Sequence, residues 1–206
     1  MKRKSDRFVP PHKRQAALTE RRNLKMARSA HAYVRGNTKN FYEWLASDSS
    51  ATLPKGPAVW ICGDCHSGNL GPIANAKGRI DIQIRDVDQT VIGNPAHDLV
   101  RLSLSLASAA RGSDLPGVAT PLMIEKMIEG YEQAFAAAAM GASVEAAKPE
   151  AVKIALRNAL HRKWRQLEIE DLTPKKATKL AKYLATVLGK GHARQIGLRT
   201  TMRGAP

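Results

Sequence analysis

Short apolar runs that end in polar residues predict two strands near the middle of the chain. The first is predicted at about Ala58–Cys62 and the second at about Arg79–Arg85, with a turn at Asn75–Gly78 between them. Apolar runs of this length, bounded by turn residues, are typical of buried strands. Because the two strands follow each other closely, we expect a hairpin-like platform that brings their polar ends together.

Most of the remaining chain carries apolar residues at helical spacing. The predicted helices run from Arg14 to Val34, Asn37 to Ala46, Gly93 to Ala110, Thr120 to Met140, Pro149 to Leu167 and Pro174 to Leu188. The fourth of these should bury one apolar face, made of Ile124, Met127, Ile128, Tyr131 and Phe135. These helices and the two strands predict a mostly helical α+β fold.

One domain is predicted over residues 14–188, since a chain of 206 residues is the size of one ordinary domain. Residues 1–13 are rich in basic residues and contain a double proline, which predicts a basic disordered arm. Residues 189–206 are basic and spaced by glycines, which predicts a flexible tail.

The net charge of +15 is concentrated at the two ends of the chain. Residues 1–28 carry a net charge of +8 and residues 148–206 carry +10, whereas residues 29–147 carry −3. Clustered positive charge attracts polyanions such as nucleic acids, acidic lipids or phosphorylated substrates. The basic termini therefore predict either a polyanionic partner or a surface that serves solubility and an acidic partner protein. Specific nucleic-acid recognition is disfavoured, because the sequence has no RNA-binding motif and few aromatic residues.

Cys62 and Cys65 form a C-x-x-C-H pattern with His66, which resembles a haem-attachment motif. We expect no haem, because residues 1–15 lack the apolar core of an export signal. We also expect no zinc, since two cysteines do not complete a structural tetrahedral site. Low cysteine content fits a cytoplasmic protein, and charge-free runs of at most 12 residues predict no transmembrane segment.

Four oxygen-bearing side chains follow the two predicted strands. Asp64 and Asn69 come after the first strand, and Asp86 and Asp88 come after the second. Carboxylate and amide oxygens suit Mg²⁺, which completes its coordination with water and substrate phosphates. Asp and Asn are also common turn formers, but that explanation accounts poorly for both loops together. The pattern therefore favours a magnesium site.

The order of these motifs resembles the catalytic lobe of protein-kinase-like phosphotransferases, especially the aminoglycoside and choline kinase branch. The matching residues are Gly63-Asp64-Cys65-His66-Ser67-Gly68-Asn69, then Asp86, then Gly93-Asn94-Pro95-Ala96-His97-Asp98-Leu99. Asp64 and Asn69 are five residues apart, and Asp86 and Asp98 are twelve apart, as in that superfamily. The resemblance implies Mg²⁺-dependent transfer of a phosphoryl or nucleotidyl group from ATP to an unknown acceptor.

The resemblance also implies roles for single residues. Asp64 would orient or deprotonate the acceptor hydroxyl, and Asn69 and Asp86 would hold Mg²⁺ against the phosphates. Asp88 would hold a second ion or form a loop hydrogen bond. Two further residues, His66 and Asp98, would support the catalytic loop. Arg35 is either a phosphate contact or a charge at the end of a helix, and the nucleotide-binding lysine is not identified.

Within that superfamily, the chain from about Arg14 to Trp164 resembles the bacterial family named domain of unknown function 2252. Longer members of this family resemble kinases in having a glycine-rich loop and a strand with a lysine after the helical segment. Neither element follows Trp164 in this sequence. We therefore expect catalytic activity to need a segment outside the 206 residues. Alternative hypotheses are a non-catalytic kinase-like module and a basic adaptor for nucleic acid or membrane surfaces. A more distant one is a metallophosphoesterase, whose Gly-Asp-x-His turn is similar.

Overall fold

The computed structural model describes residues 9–47, 50–161 and 172–203, with side chains as far as residue 196. The helices are α1 Pro11–Met26, α2 Ala30–Gly36, α3 Thr38–Leu45, α4 Pro95–Arg111, α5 Ala119–Ala139, α6 Glu150–Leu160 and α7 Pro174–Arg203. The strands are β1 Val59–Ile61, β2 Leu70–Ala74, β3 Ile80–Ile84 and β4 Val91–Gly93. The predicted fold class, mostly helical α+β, is confirmed.

The strands form two separate antiparallel pairs. β1 pairs with β4, with Trp60 opposite Ile92, and β2 pairs with β3, with Pro72 opposite Ile82. The predicted hairpin between the first and second strands is therefore wrong, because β2 intervenes and takes the place of β1. The sequence concealed β2 because glycine and proline, both unfavourable in strands, occupy two of its five positions.

The turn predicted at Asn75–Gly78 does join two strands, β2 and β3. The Asn75 side-chain oxygen accepts hydrogen bonds from the N–H groups of Lys77 and Arg79. Gly78 has φ +73°, a conformation that favours glycine. At the other end of this pair, the Arg85 N–H donates to the Asn69 carbonyl at 2.8 Å. The two polar loops therefore meet through β2 and β3.

The predicted helix from Arg14 to Val34 is divided in two. α1 ends at Met26, and Ser29 begins α2 by accepting a hydrogen bond from the Ala32 N–H at 3.0 Å. A serine at this position favours a new helix start. The predicted disordered arm is wrong for residues 11–13, which begin α1, and its residues 1–8 lie outside the described residues.

The core lies mainly between α5 and α7. α5 contributes Met123, Met127, Gly130 and Ala134, so its buried face is rotated from the predicted one and leaves Ile128 at 45% exposed. α7 contributes mostly leucines and alanines: Leu180, Ala181, Leu184, Ala185 and Leu188. At the helix crossing, a side chain on Gly130 would meet the Lys182 carbonyl and Thr186. Small residues therefore bring the two helices close together.

The prediction of a flexible tail from residue 189 is wrong, because α7 continues to Arg203. Gly189 packs against α5, where an added Cβ would lie 3.0 Å from the Cβ of Ala134. His192 and Ala193 beyond it are buried. Tertiary packing therefore overrides the low helix propensity of glycine here. The predicted extension of α6 to Leu167 falls largely within residues 162–171, which lie outside the described residues.

α4 buries polar as well as apolar residues. Leu102 and Leu106 enter the core, whereas Leu104 is 42% exposed. Arg101 and Asp98 are buried with them. Buried charged groups need partners, and both of these residues find theirs in the loop after β1. Within the part of the chain that the structure describes, no helix has the length and apolarity needed to cross a membrane.

Candidate functional site

The loop from Cys62 to Asn69 joins β1 to β2 and carries the central sequence motif. Gly63 has φ +82° and lies against the backbone of Gln89, so a side chain would fit neither the conformation nor the space. The Tyr42 hydroxyl donates a 2.7 Å hydrogen bond to the Gly63 carbonyl. Ser67–Asn69 then form a short 3₁₀ turn that leads into β2. Gln89 and Tyr42 therefore contact the start of the loop, and the 3₁₀ turn defines its end.

Asp98 fixes the start of this loop. One carboxylate oxygen, Oδ2, accepts from the Cys62 N–H at 2.6 Å, and Oδ1 accepts from the Gly63 N–H at 3.0 Å. Asp98 lies in the first turn of α4, where Asn94 caps the helix and the helix dipole favours negative charge. Its side chain is buried. Charged acceptors of this kind form the stronger protein hydrogen bonds.

His192 of α7 is the third donor to Asp98. Its Nε2 lies 3.1 Å from Oδ2 of Asp98, and its Nδ1 lies 2.8 Å from the Tyr131 hydroxyl on α5. Because the ionised Asp98 carboxylate can only accept hydrogen bonds, the ring hydrogen of His192 lies on Nε2. Nδ1 then accepts a hydrogen bond from the Tyr131 hydroxyl. Burial, followed by the charge of Asp98, raises the pKa of Tyr131 well above its ordinary value. The network thus links α4, α5, α7 and the loop.

Gln195, one turn beyond His192, binds the outer edge of β1. Its Oε1 accepts from the Trp60 N–H at 2.6 Å, and its Nε2 donates to the Trp60 carbonyl at 2.9 Å. The sequence analysis assigned no role to His192 or Gln195, because it ended the predicted helix at Leu188. The available signal was the helical spacing itself, since Leu184, Leu188, His192 and Gln195 share one face at i, i+4, i+8 and i+11.

Asp64, the predicted catalytic residue, is paired with a buried arginine. Its Oδ1 accepts from Nε of Arg101 at 2.9 Å and from Nη2 at 2.8 Å. The guanidinium group also lies 5.1 Å from the centre of the Phe41 ring, a cation–π distance. This geometry fixes the carboxylate, and both hydrogen bonds from Arg101 go to Oδ1 rather than to Oδ2. Sequence reasoning assigned Arg101 no role.

His66 adjoins Asp64 as a neutral ring. Its Nδ1 accepts from the Gly68 N–H at 3.0 Å, so its hydrogen lies on Nε2, which is 3.8 Å from Oδ2 of Asp64. Burial lowers the pKa of His66 from 6.5 to about 4, the Asp64 carboxylate opposes this shift, and Arg35, Arg101 and His31 add to it. The His66–Asp64 contact is therefore not an ion pair at neutral pH.

Asn69 forms hydrogen bonds within the loop and to the segment that leads into Asp86. Its Nδ2 donates a 2.7 Å hydrogen bond to the Asp64 carbonyl, which leaves Oδ1 as an oxygen donor. Its own carbonyl accepts from the Arg85 N–H, the residue before Asp86. The Cys62 thiol in turn donates to the Asp86 carbonyl at 3.3 Å. The structure thus brings Asp64, Asn69 and the backbone of Asp86 into one region.

The side chains of Asp86 and Asp88 are exposed beyond the end of β3. The Asp88 N–H donates to Oδ1 of Asp86 at 3.3 Å, which makes this segment a local turn. These carboxylates and Oδ1 of Asn69 are oxygen ligands of the kind that Mg²⁺ prefers. Within residues 9–47, 50–161 and 172–203, no group of three His, Cys, Asp or Glu side chains is arranged to hold a metal ion. Any ion here therefore needs ligands from a nucleotide or water.

Arg35 lies in the last turn of α2, where its charge is favourable to the helix dipole. It also lies close enough to the motif loop to help lower the pKa of His66. The position in α2 fits the predicted role as a helix-end charge, and the predicted phosphate contact stays a prediction.

Residues 14–166, more than half of the chain, match the model of a family described as "Uncharacterized protein conserved in bacteria (DUF2252)". The match begins at the predicted residue and ends two residues beyond the predicted end. No curated protein and no solved structure matches the chain.

Replacing Asp98 with Asn should lower the free energy of unfolding by about 2–3 kcal/mol. The amide carries two hydrogens where the carboxylate only accepts, so at least one of the three buried N–H donors loses its partner. Urea denaturation measures the change. Asp114→Asn, the same substitution at an exposed loop position, is the matched control and should change stability by less than about 0.5 kcal/mol. Equal effects of the two substitutions would contradict the network.

His66 should make the protein less stable as the pH falls from about 6.5 to about 4. Its pKa is lower in the folded protein than the ordinary 6.5, so the unfolded chain binds its proton first. The stabilisation that neutral His66 gives to the folded protein is fully present above pH 6.5 and is lost as the pH falls to about 4. Urea denaturation across this range, compared with His66→Gln, isolates the effect because glutamine can still accept from the Gly68 N–H. Identical pH profiles would refute it.

Proposed function

The chain belongs to the bacterial DUF2252 family, and we propose that it is a Mg²⁺-dependent phosphotransferase of the protein-kinase-like type that uses ATP. One observation supports this most directly: the Asn69 side chain donates to the Asp64 carbonyl, and the Asn69 carbonyl accepts from the N–H of Arg85, the residue before Asp86. Three oxygen-bearing residues from separate parts of the motif are thereby brought to the same region. Phosphoryl transfer depends chiefly on positioning and on neutralising phosphate charge.

Asp64 would receive the acceptor hydroxyl. Arg101 holds Oδ1 in a fixed orientation, and Oδ2 remains to accept a hydrogen bond from the substrate. The carboxylate is only partly buried, with 15% of its side chain exposed, so a substrate can reach it. The neutral His66 ring beside it supports the loop through Gly68. This arrangement orients the hydroxyl for attack on a phosphate.

Asn69 and Asp86 would hold Mg²⁺ together with the nucleotide phosphates. When bound, the ion supplies positive charge that neutralises the transferring group. Asp88 extends the acidic segment and serves through its N–H to orient Asp86. Because the residues that the structure describes provide few metal ligands, we expect metal and nucleotide to bind together rather than separately.

A non-catalytic nucleotide-binding module is the second candidate. The ion pair between Asp64 and Arg101 favours it, because the pair gives the carboxylate a structural role that needs no acceptor substrate. The two candidates share the nucleotide site and differ in turnover.

Asp86→Asn should weaken Mg²⁺-dependent ATP binding by at least about tenfold, because a carboxylate facing the metal and phosphates loses its charge. Isothermal titration calorimetry with ATP and Mg²⁺, and with ATP and EDTA, measures the effect. Asp114→Asn, which makes the same change in charge on an exposed loop, should bind as the wild type does. If wild type and Asp86→Asn bind ATP equally, the proposed metal role is wrong.

Asp64→Asn should leave ATP affinity within about twofold and reduce ADP formation by about a hundredfold or more. The substituted amide keeps an oxygen for Arg101, and circular dichroism checks that the fold is retained. ADP release over time from bound Mg²⁺–ATP measures turnover, both without and with an added segment that carries the expected glycine-rich loop and lysine strand. Slow ADP release that stays the same in both proteins when this segment is present would reject the enzyme and support the non-catalytic module.

A further inference from the structure

α1 is exposed along most of its length. No residue of Pro11–Met26 is buried, and Leu18 and Leu24 are 64% and 63% exposed. Its C-terminal end touches the rest of the protein, where Met26 packs against Gly36. A helix of 16 residues without a packed apolar face is marginally stable in water. The core described above therefore does not explain why this segment is helical.

The charges on α1 oppose its stability as well. It carries five basic residues and one acidic residue, with Lys13 and Arg14 near its N-terminus, where the helix dipole disfavours positive charge. Arg21 and Lys25 repel each other at i, i+4. Glu20 has no basic residue three or four positions away, so it forms no ion pair within the helix. A partner that removes this repulsion must be negatively charged.

Three of the basic residues share one face. Arg14, Arg21 and Lys25 are seven and four residues apart, so at about 100° per residue they point within about 20° of one direction. They span about 16 Å along the helix. All three are exposed, and Glu20 lies on the other side of the helix. We call Arg14, Arg21 and Lys25 the α1 basic stripe.

The apolar residues of α1 argue against a membrane surface. Amphipathic membrane helices present a continuous apolar face opposite their basic face. Leu18 lies on the same side as the basic stripe, and Leu24 is turned away from Leu18 by about 120°. Because α1 has no continuous apolar face to insert into a membrane, we expect it to bind through its charged side chains. A linear polyanion that needs no apolar contact matches this surface.

We infer that α1 binds the phosphodiester backbone of a nucleic acid through its basic stripe. A duplex carries one negative charge for about every 1.7 Å of its axis, so a straight line of three cations meets phosphates along its length. Contacts of this kind position a protein on a duplex without reading the base sequence. Lys2, Arg3, Lys4 and Arg7, which precede the described residues, add positive charge at the same end of the chain. This inference does not depend on the proposed phosphotransferase activity.

The test uses the full chain and a random-sequence DNA duplex of about 20 base pairs, long enough to cover the stripe. The stripe variant combines Arg14→Gln, Arg21→Gln and Lys25→Gln, and glutamine has about the same helix propensity as the residues it replaces. The matched control combines Lys175→Gln, Lys176→Gln and Lys179→Gln, which removes three exposed charges from α7. Fluorescence anisotropy gives the dissociation constant of each protein at several salt concentrations.

The wild type and the control should show the same steep dependence of affinity on salt. The stripe variant should bind at least about tenfold more weakly, and its log–log slope should be shallower by about 0.9 for each phosphate that the variant no longer neutralises. Amide hydrogen exchange in α1 should slow when duplex is added to the wild type. Equal weakening of both variants would overturn the inference, because it would assign binding to net charge. No duplex binding, or tighter binding to phosphatidylglycerol vesicles than to duplex, would also overturn it.

Discussion

The structure depends most on the carboxylate of Asp98. Three N–H groups converge on this one buried side chain: two from the backbone at the end of β1 and one from the His192 ring. A charge can remain in the interior only where it is matched by donors of this kind. The carboxylate thereby determines the direction in which the chain leaves β1, and hence the positions of Asp64 and the residues after it.

A second buried charge faces the same loop. Arg101 lies one turn after Asp98 on α4, so the two side chains project from the same face of the helix. Asp98 holds the backbone of the loop, and Arg101 holds its Asp64 side chain. A single helix therefore controls both the path of the loop and the orientation of its carboxylate. This division explains how a short loop, irregular apart from one 3₁₀ turn, keeps a defined conformation.

The fold class and the location of the motif loop could be predicted from the sequence, because both depend on local signals. The apolar run into Gly63 and the spacing from Asp86 to Asp98 belong to single segments and can be recognised there. The pairing of β1 with β4 could not be predicted, since β4 has three residues and its identity depends on a distant partner. His192 and Gln195 were missed for a related reason. Glycines at 189 and 191 indicate a break locally, while packing against α5 keeps the helix continuous.

The long separation in sequence between the loop and its supports has a consequence for folding. Asp98 and His192 are 94 residues apart, and Trp60 and Gln195 are 135 apart. Contacts between distant residues form late, because the chain between them must first lose conformational entropy. During synthesis, the motif loop leaves the ribosome long before α7 does. The motif loop is therefore synthesised before the residues of α7 that support it. The candidate site reaches its final conformation only when α7 packs against the rest of the protein.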